Sequence, residues 1–526
     1  MTETQRFKNV ETWDIRKPAV HSSNGLVASQ HYAASQAGAD VLTNGGNAID
    51  AALTTSLMIG TVEPWMSGLG GGGNLLYFEA ATGITHAIEF GMRAPLGIDA
   101  ADYPLVKGQD SDLFGWPSVL DNRNVYGPMS IATPGYLAGI SAAAERFATK
   151  SFAELIEPAV KSARDGMSVD WYATLKIASA APLLAHYPES AARYLPGGFV
   201  PAGEWGGPLP RIVLGQLAAT LEKLQSRGAE DFYHGEVAAT IASDAAQLGC
   251  RLTQQDLGDY QTIAATADEH LYRGSSIFAA PGMTAGPTLC DTLERLARRW
   301  SPDSAAPDDK TFQAYASSLQ ESYRHRLSTM GDIDDSGSPA CTTHISAVDS
   351  AGNMVSLTQT LLSVFGSKVM FPHSGILMNN GMMWFDPRSG QPNSIAAGKR
   401  PLSNMCPTQF VAPDGARYAL GASGGRRIMP SVMQLISFIT DYNMSIDEAM
   451  HQGRIDVSGA PVISVDEALE DSVASSLGGD TQVLQVPNAV YPAMFGCPNV
   501  VGQTADGNFT GAAYVASPWA SVAAGD

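Results

Sequence analysis

Two runs of alternating apolar and hydroxylated residues, 341–349 and 354–360, constrain the chain more than any other feature. Between them lies Asp349-Ser350-Ala351-Gly352-Asn353, a cluster of turn formers. The pattern predicts a β-hairpin with a loop in the three-to-five-residue class. Pairing symmetric about Ala351 sets Thr342 opposite Thr360. Side chains alternate across a strand, so Thr342, His344 and Ser346 share a face with Ser356, Thr358 and Thr360. Ile345, Ala347, Val355 and Leu357 fall on the other face, ready for a core. A strand pair that is oily on one side and hydroxyl-lined on the other suits the wall of an active site. Thr342 is the candidate nucleophile. Threonine is also an ordinary strand residue, so the rest of the chain must decide.

A chain of 526 residues has room for two to four conventional domains, or for one large layered one. Its 44% hydrophobic and 16% charged residues are globular values, not those of a disordered chain. A formal net charge of −20 argues against nucleic-acid or anionic-membrane partners, because phosphates would meet no cationic surface. Cys250, Cys290, Cys341, Cys406 and Cys497 are odd in number, far apart and in no C-x-x-C arrangement. They read as reduced thiols of a cytoplasmic protein, not as a disulfide framework or a zinc site. The first twenty residues include Glu3, Glu11, Asp14 and Lys17 and no apolar stretch, so no signal peptide is expected. No run of about eighteen apolar residues is present to span a membrane.

In order, residues 26–29 read as a short strand and 32–42 as a packed helix ended by Asn44-Gly45-Gly46. Asn47 caps a second helix, 48–59, expected to stop at Gly60. Glycines 70–73 then precede a strand at 75–78. No Gly-Lys-Ser/Thr follows and the next element is not a helix, so close backbone packing is expected there and not a phosphate loop. Residues 134–166 are helical in pattern, and Leu214, Leu217, Leu221 and Leu224 mark a helix stopped by Gly228. Leu289, Leu293, Leu296 and Trp300 mark another. Residues 301–310 form a polar connector and 331–340 a flexible linker. A calcium loop is disfavoured in the linker because its twelfth position is Thr343 where an acid is needed. Beyond the hairpin come further strands, Gly421-Ala422-Ser423-Gly424-Gly425, a helix over 427–442 and one opened by the capping box Ser445…Glu448.

Two nucleophiles compete. Gly421-Ala422-Ser423-Gly424-Gly425 fits G-x-S-x-G in a strand–turn–helix context, the elbow of a serine hydrolase. Its partners would have to be His451 with Asp441 or Asp447, all within one pair of helices and close in sequence. The threonine needs no histidine. At a new chain terminus its hydroxyl is deprotonated by its own α-amino group, whose ordinary pKa is about 7.7–8.0. Pro339-Ala340-Cys341 leaves room for Thr342 to cut the preceding peptide bond itself.

Several further segments, in order, carry a resemblance: Gly45-Gly46-Asn47-Ala48-Ile49-Asp50-Ala51-Ala52, Glu63-Pro64-Trp65-Met66-Ser67-Gly68-Leu69-Gly70-Gly71-Gly72-Gly73, Thr342-Thr343-His344, Gly375-Ile376-Leu377-Met378-Asn379-Asn380, Lys399-Arg400-Pro401-Leu402-Ser403 and Gly424-Gly425. From about residue 26 to 457 the sequence resembles the γ-glutamyltransferases of the N-terminal-nucleophile hydrolase superfamily. The resemblance implies an α+β fold, a four-layer αββα sandwich. It implies self-cleavage between Cys341 and Thr342 into a large fragment, 1–341, and a small one, 342–526, that stay together as one folded unit. The expected state is a heterodimer of these fragments, with a dimer of heterodimers as a further option. Thr342 would be the nucleophile, held by Thr360, with the backbone N–H groups of Gly424 and Gly425 as oxyanion hole. Ser423 would then be a bystander. Ser403 and Asn404 match a pair that binds the substrate carboxylate. No cofactor or metal is implied, and glutathione metabolism is the associated setting.

The departures concern specificity. Gly91 stands where the family carries an arginine for the α-carboxylate, and Trp384 where it carries an aspartate for the α-amino group. Gly381 and Leu362 also replace polar contacts. Arg93 and Arg426 are the expected substitutes for the missing guanidinium. The expected function is a self-processing amidohydrolase or acyltransferase cleaving a γ-glutamyl-like or short carboxyl-bearing acyl amide. Glutaryl- or cephalosporin-acylase-like and oxamate-type activities on the same scaffold are the alternative, and Trp384 suits an acyl group without an amine. A Ser423 hydrolase and a non-catalytic binding relative complete the alternatives. Residues 458–526 have no assigned role.

Overall fold

The hairpin forms the middle of a seven-stranded sheet. The structure, a computed structural model, describes residues 15–109, 116–329, 340–458, 462–479 and 481–526. Among the described residues two seven-stranded sheets dominate. Their strands up to the hairpin are β1 (Val20–Ser22), β2 (Gly25–Ser29), β3 (Gly72–Glu79), β4 (Ile84–Phe90), β5 (Ile263–Thr266), β6 (Glu269–Tyr272) and β7 (Ser275–Ala279). The hairpin is β8 (Ala340–Asp349) and β9 (Met354–Ser363). It is followed by β10 (Thr408–Val411), β11 (Arg417–Ser423), β12 (Cys497–Gln503), β13 (Phe509–Ala513) and β14 (Ser521–Ala524). The first sheet runs β14-β2-β8-β9-β3-β4-β5 and the second β1-β13-β12-β11-β10-β7-β6. Each neighbouring pair is antiparallel.

Helices cover both outer faces. Tyr32–Thr43, Ala48–Val62, Tyr136–Phe147 and Phe152–Asp165 pack on the first sheet, where Ile345, Ala347, Val355 and Leu357 join their apolar stripes in one core. Gly286–Arg299, Asp309–Thr329 and Ile428–Tyr442 cover the second, packing on Ile277, Phe410, Leu420 and Val500. The inner faces meet through Leu26, Phe78, Met354, Ala419 and Val501. These layers are the expected αββα sandwich, each fully buried Leu, Ile or Phe being worth about 1.5–3 kcal/mol. Among the described residues no helix is long and apolar enough to cross a membrane.

The β8–β9 register follows the symmetry of the sequence, pairing His344 with Thr358 and Ser346 with Ser356. It shifts by one residue between Cys341 and Thr343, so a bulge falls at Thr342. Three expectations are corrected. The second helix runs through Gly60 to Val62, because a bare Cα there lets the helix approach Gly68, whose Cα would lie 3.1 Å from a Cβ at Gly60. The strand after it takes in Gly72 and Gly73, since a β-carbon at Gly71 would sit 2.3 Å from the Thr360 carbonyl oxygen. The glycine run is thus laid against the hairpin backbone. The connector ends at Asp309, where the next helix already starts. Of the linker over 331–340, only Ala340 lies within the described residues.

Candidate active site

Thr342 stands at the bulge, nearly buried, with its side chain on the inter-sheet face. Its Oγ1 donates to Thr360 Oγ1 at 3.4 Å, and Thr360 Oγ1 accepts the Leu362 N–H at 2.8 Å. Leu362 takes φ +84° to make that bond, an uncommon conformation for a branched residue that commonly marks a functional site. Two residues along the same face, the His344 ring bridges Thr358 Oγ1 at 2.8 Å and Ser346 Oγ at 3.0 Å. Burial lowers its pKa to about 3, so the ring is neutral at working pH. It presses on the second sheet, where a β-carbon at Gly421 would come 2.3 Å from its Cε1.

Gly424 and Gly425 follow β11 with φ of +121° and +62°, and the turn Gly425–Arg427 packs against β8. The structure therefore brings Thr342, Thr360 and the glycine pair into one region. Ser423 is placed differently. Its hydroxyl accepts from Gln30 Nε2, while His451 bonds the Asp447 carbonyl at 2.7 Å and the Lys17 N–H at 3.4 Å. Asp441 is bound to Tyr272 and Ser437. The serine triad is not assembled.

Beside β3 and β4, which supply Asn74 and Glu89, lies a pocket lined by Gly91, Trp384, Ser403 and Arg400 among others. Ser403 is fixed through its backbone: its N–H donates to Met283 O at 2.8 Å, and its carbonyl accepts from Arg326 Nη2 at 2.6 Å. Arg326 is fully enclosed, and burial lowers its pKa to about 10. Asn404 is buried next to Ser403 with no partner for its Nδ2 among the described residues. Trp384 is buried and its Nε1 likewise has no acceptor. Gly381 fits where a β-carbon would meet Met92 Sδ and Ala132 Cβ, each at 2.8 Å.

The two arginines expected as substitutes lie off the cavity wall. Arg93 donates to the carbonyls of Asp259 at 3.1 Å and Asp256 at 3.3 Å and lies over Tyr260. Arg426 is in the glycine turn, its carbonyl accepting from Tyr323 Oη at 2.6 Å. The guanidinium on the wall is that of Arg400, 3.7 Å from Glu89 Oε1. Burial raises the Glu89 pKa, with Arg400 opposing the rise. Sequence gives Arg400 no role although it lies in Lys399-Arg400-Pro401-Leu402-Ser403, and Glu89 is an unremarkable strand residue. Sequence gives Asn379 and Asn380 no role either. Asn379 Nδ2 donates to Gly70 O at 2.6 Å and Ala132 O at 2.8 Å, and Asn380 Oδ1 accepts the Ser363 N–H at 3.0 Å. They tie the glycine run and the end of β9 together.

On the opposite face of β8, Thr343 Oγ1 donates to Glu63 Oε2 at 3.4 Å. Glu63 caps the carboxyl end of helix Ala48–Val62, where a negative charge is disfavoured. Burial raises its pKa to about 8, with Lys176 and Thr343 pulling the other way.

Comparisons with known proteins give the family of the chain. The family model described as Gamma-glutamyltranspeptidase matches residues 34–341 and 336–517. The Acylase ACY 1 proenzyme of Pseudomonas sp. (strain V22) is 32% identical, covering 95% of this chain and 93% of its own length. The Glutathione hydrolase proenzyme of Bacillus subtilis (strain 168) is 27% identical, covering 90% of this chain and 87% of its own. Among solved structures, the cephalosporin acylase from Bacillus halodurans superposes with a TM-score of 0.83 over 99% of both chains at 22% identity, a likeness of fold. The Helicobacter pylori gamma-glutamyltranspeptidase superposes with a TM-score of 0.51 at 26% identity, over 62% of this chain and 86% of its own. With a family model matched along most of its length, the chain belongs to the gamma-glutamyltranspeptidase family.

Proposed function

We propose that the protein is a self-processing amidohydrolase or acyltransferase that uses Thr342 as an N-terminal nucleophile on an amide whose acyl group carries a distal carboxylate. The observation that carries this reading is the 3.4 Å approach of the Thr342 and Thr360 hydroxyls on a hydroxyl-lined strand pair flanked by the glycine turn. In processing, Thr342 Oγ attacks the Cys341 carbonyl carbon, the peptide C–N bond breaks, and an ester forms. The α-amine of Thr342 is released as that bond breaks, and water then hydrolyses the ester to a Cys341 carboxylate and the free Thr342 hydroxyl. That amine then takes the hydroxyl proton as Oγ attacks the substrate amide. The N–H groups of Gly424 and Gly425 stabilise the oxyanion, a contribution of about 3–4 kcal/mol per donor in comparable sites. The proton passes to the leaving amine, and water or a second amine releases the acyl group. Relatives whose names include "proenzyme" support the processing step. Fragments 1–341 and 342–526 and a cytoplasmic setting belong to the same reading, and Cys250, Cys290, Cys406 and Cys497 are free thiols.

The test is a denaturing gel with N-terminal sequencing. Wild-type protein is expected to run as two bands, the smaller opening at Thr342, and Thr342→Ala to run as one inactive full-length band. An intact wild-type chain that hydrolyses amides would overturn the reading, and loss of activity in Ser423→Ala with an uncut chain would favour the serine alternative.

A further inference from the structure

The nucleophile and the glycine pair belong to different sheets, Thr342 to the first through β8 and Gly424-Gly425 to the second, where the pair follows β11. The gap between them is set by side chains that cross the inter-sheet space. Two such contacts reach β11 near its end. The His344 ring fills the room left by Gly421. Two residues further along the same face of β11, the Ser423 hydroxyl accepts from Gln30 Nε2. Gln30 lies just past β2, two residues beyond Ala28, which pairs with Ser346 of β8 and packs on the inner face. The segment carrying this amide is thus bonded to the nucleophile strand. Gln30 and Ser423 are each 3% exposed. The same Nε2 lies 3.5 Å from the carbonyl of Cys497, the residue paired with Ser423 across β11–β12. Gln30 Oε1 has no donor among the described residues. A buried acceptor left unpaired costs stability, so an apolar side chain of the same shape would fold at least as well. The amide is explained by what it holds.

We propose that Gln30 is a positioning residue for the oxyanion turn: through the Ser423 hydroxyl it fixes Gly424 and Gly425 at their distance from Thr342. This rests on the Thr342 reading of the same site. Ser423 and Gly424 share a peptide unit, so a hold on the serine side chain reaches the first oxyanion N–H within one residue. The two glycines, at φ +121° and +62°, have no side chains with which to anchor themselves. From the second sheet's own layers, Tyr323 Oη donates to Arg426 O at 2.6 Å, and a β-carbon at Gly424 would meet Gly496 Cα at 3.2 Å. Gln30 reaches the turn from the nucleophile's sheet. That direction matters, because a drift of about 1 Å between attacking atom and oxyanion donors can cost about a hundredfold in rate. Ser423 is then neither a nucleophile nor a bystander but the post to which the turn is tied.

The experiment compares the full chain as wild type, Gln30→Met, Ser423→Ala and the double variant on γ-glutamyl- and glutaryl-p-nitroanilide, with rates normalised to the fraction cut before Thr342. All four are expected to be cut. Each single variant should lose about ten- to a hundredfold in kcat with KM within about twofold, the mark of a contact felt only in the transition state. The double variant should lose no more than the worse single one, because both changes remove the same bond. Gln30→Met should melt within about 2 °C of wild type or above it. Hydrogen exchange over residues 421–430, read by mass spectrometry, should quicken about fivefold or more in both single variants. It reads the turn whether or not either amide is turned over. Wild-type kcat or wild-type exchange in Gln30→Met, losses that multiply in the double variant, or a kcat loss matched by a fall in melting temperature overturns the assignment. An uncut and inactive Ser423→Ala overturns it in favour of a serine nucleophile. Turnover that persists in Thr342→Ala would instead sink the underlying reading of the nucleophile.

Discussion

Thr360 is the residue on which the nucleophile depends most directly, because its oxygen meets both Thr342 Oγ1 and the Leu362 N–H. Thr360→Val keeps the shape and removes the hydroxyl, so kcat/KM is expected to fall by about ten- to a hundredfold with little change in melting temperature, the 1.4–2.7 kcal/mol range of a lost polar contact in a buried site. Steady-state assays beside thermal melts check the split. Gly421 has a different duty. Its hydrogen leaves room for the His344 ring, and Gly421→Ala would drive a β-carbon to 2.3 Å from Cε1, costing about 1–3 kcal/mol of stability in denaturant titration. Glu63 sets a pH dependence. Its folded pKa of about 8 lies above the ordinary 4.5, so the folded state holds this proton more tightly than the unfolded chain. The contribution is complete below 4.5 and is lost as pH rises toward about 8, at up to about 1.4 kcal/mol per unit. Glu63→Gln should flatten that part of the stability curve between pH 5 and 8; an unchanged slope would assign it to other groups.

At the scale of elements, the C-terminal strands do what their sequence did not announce. β12 and β13 complete the second sheet beside the Ser423 strand, and β14 crosses to the first sheet to pair with β2. Between them Trp519 packs on Trp65, His31 and Tyr172 and donates from Nε1 to Asp170 at 2.6 Å. Trp519→Ala is expected to destabilise the protein by about 3–5 kcal/mol, read in chemical denaturation. Deleting residues 519–526 would also bare β2 as an edge and promote aggregation, measurable by light scattering.

For the whole molecule, the consequence of a cut before Thr342 follows from topology. Residues up to 341 supply β1 to β7, the later ones supply β9 to β14 and nearly all of β8, and both sheets alternate between the two groups. Neither part can close its own sheets. The fragments are expected to copurify through gel filtration in 1 M salt and to unfold in one transition. Separation in salt alone would contradict the interleaved sheets, because ionic contacts are screened there and hydrophobic ones are not.

Sequence by itself determined the hairpin, its two faces and its register from Thr343 to the turn, because a period of two and a symmetric turn leave few pairings; the shift at Thr342 it did not give. It also determined the helix caps at Asn47 and Ser445, whose bonds close within three residues. Helix Ala48–Val62 running through Gly60 was not legible, since the reason is a glycine eight residues further on. The wall of the cavity was not legible either. Arg93 and Arg400 are both plausible guanidiniums in one dimension, and only the packing on Asp256, Asp259 and Tyr260 turns the first away while the second faces Glu89. Local patterns fix what neighbours along the chain can do; which charge reaches a cavity depends on segments brought together from positions 89, 91, 384 and 400, and that only the tertiary structure decided.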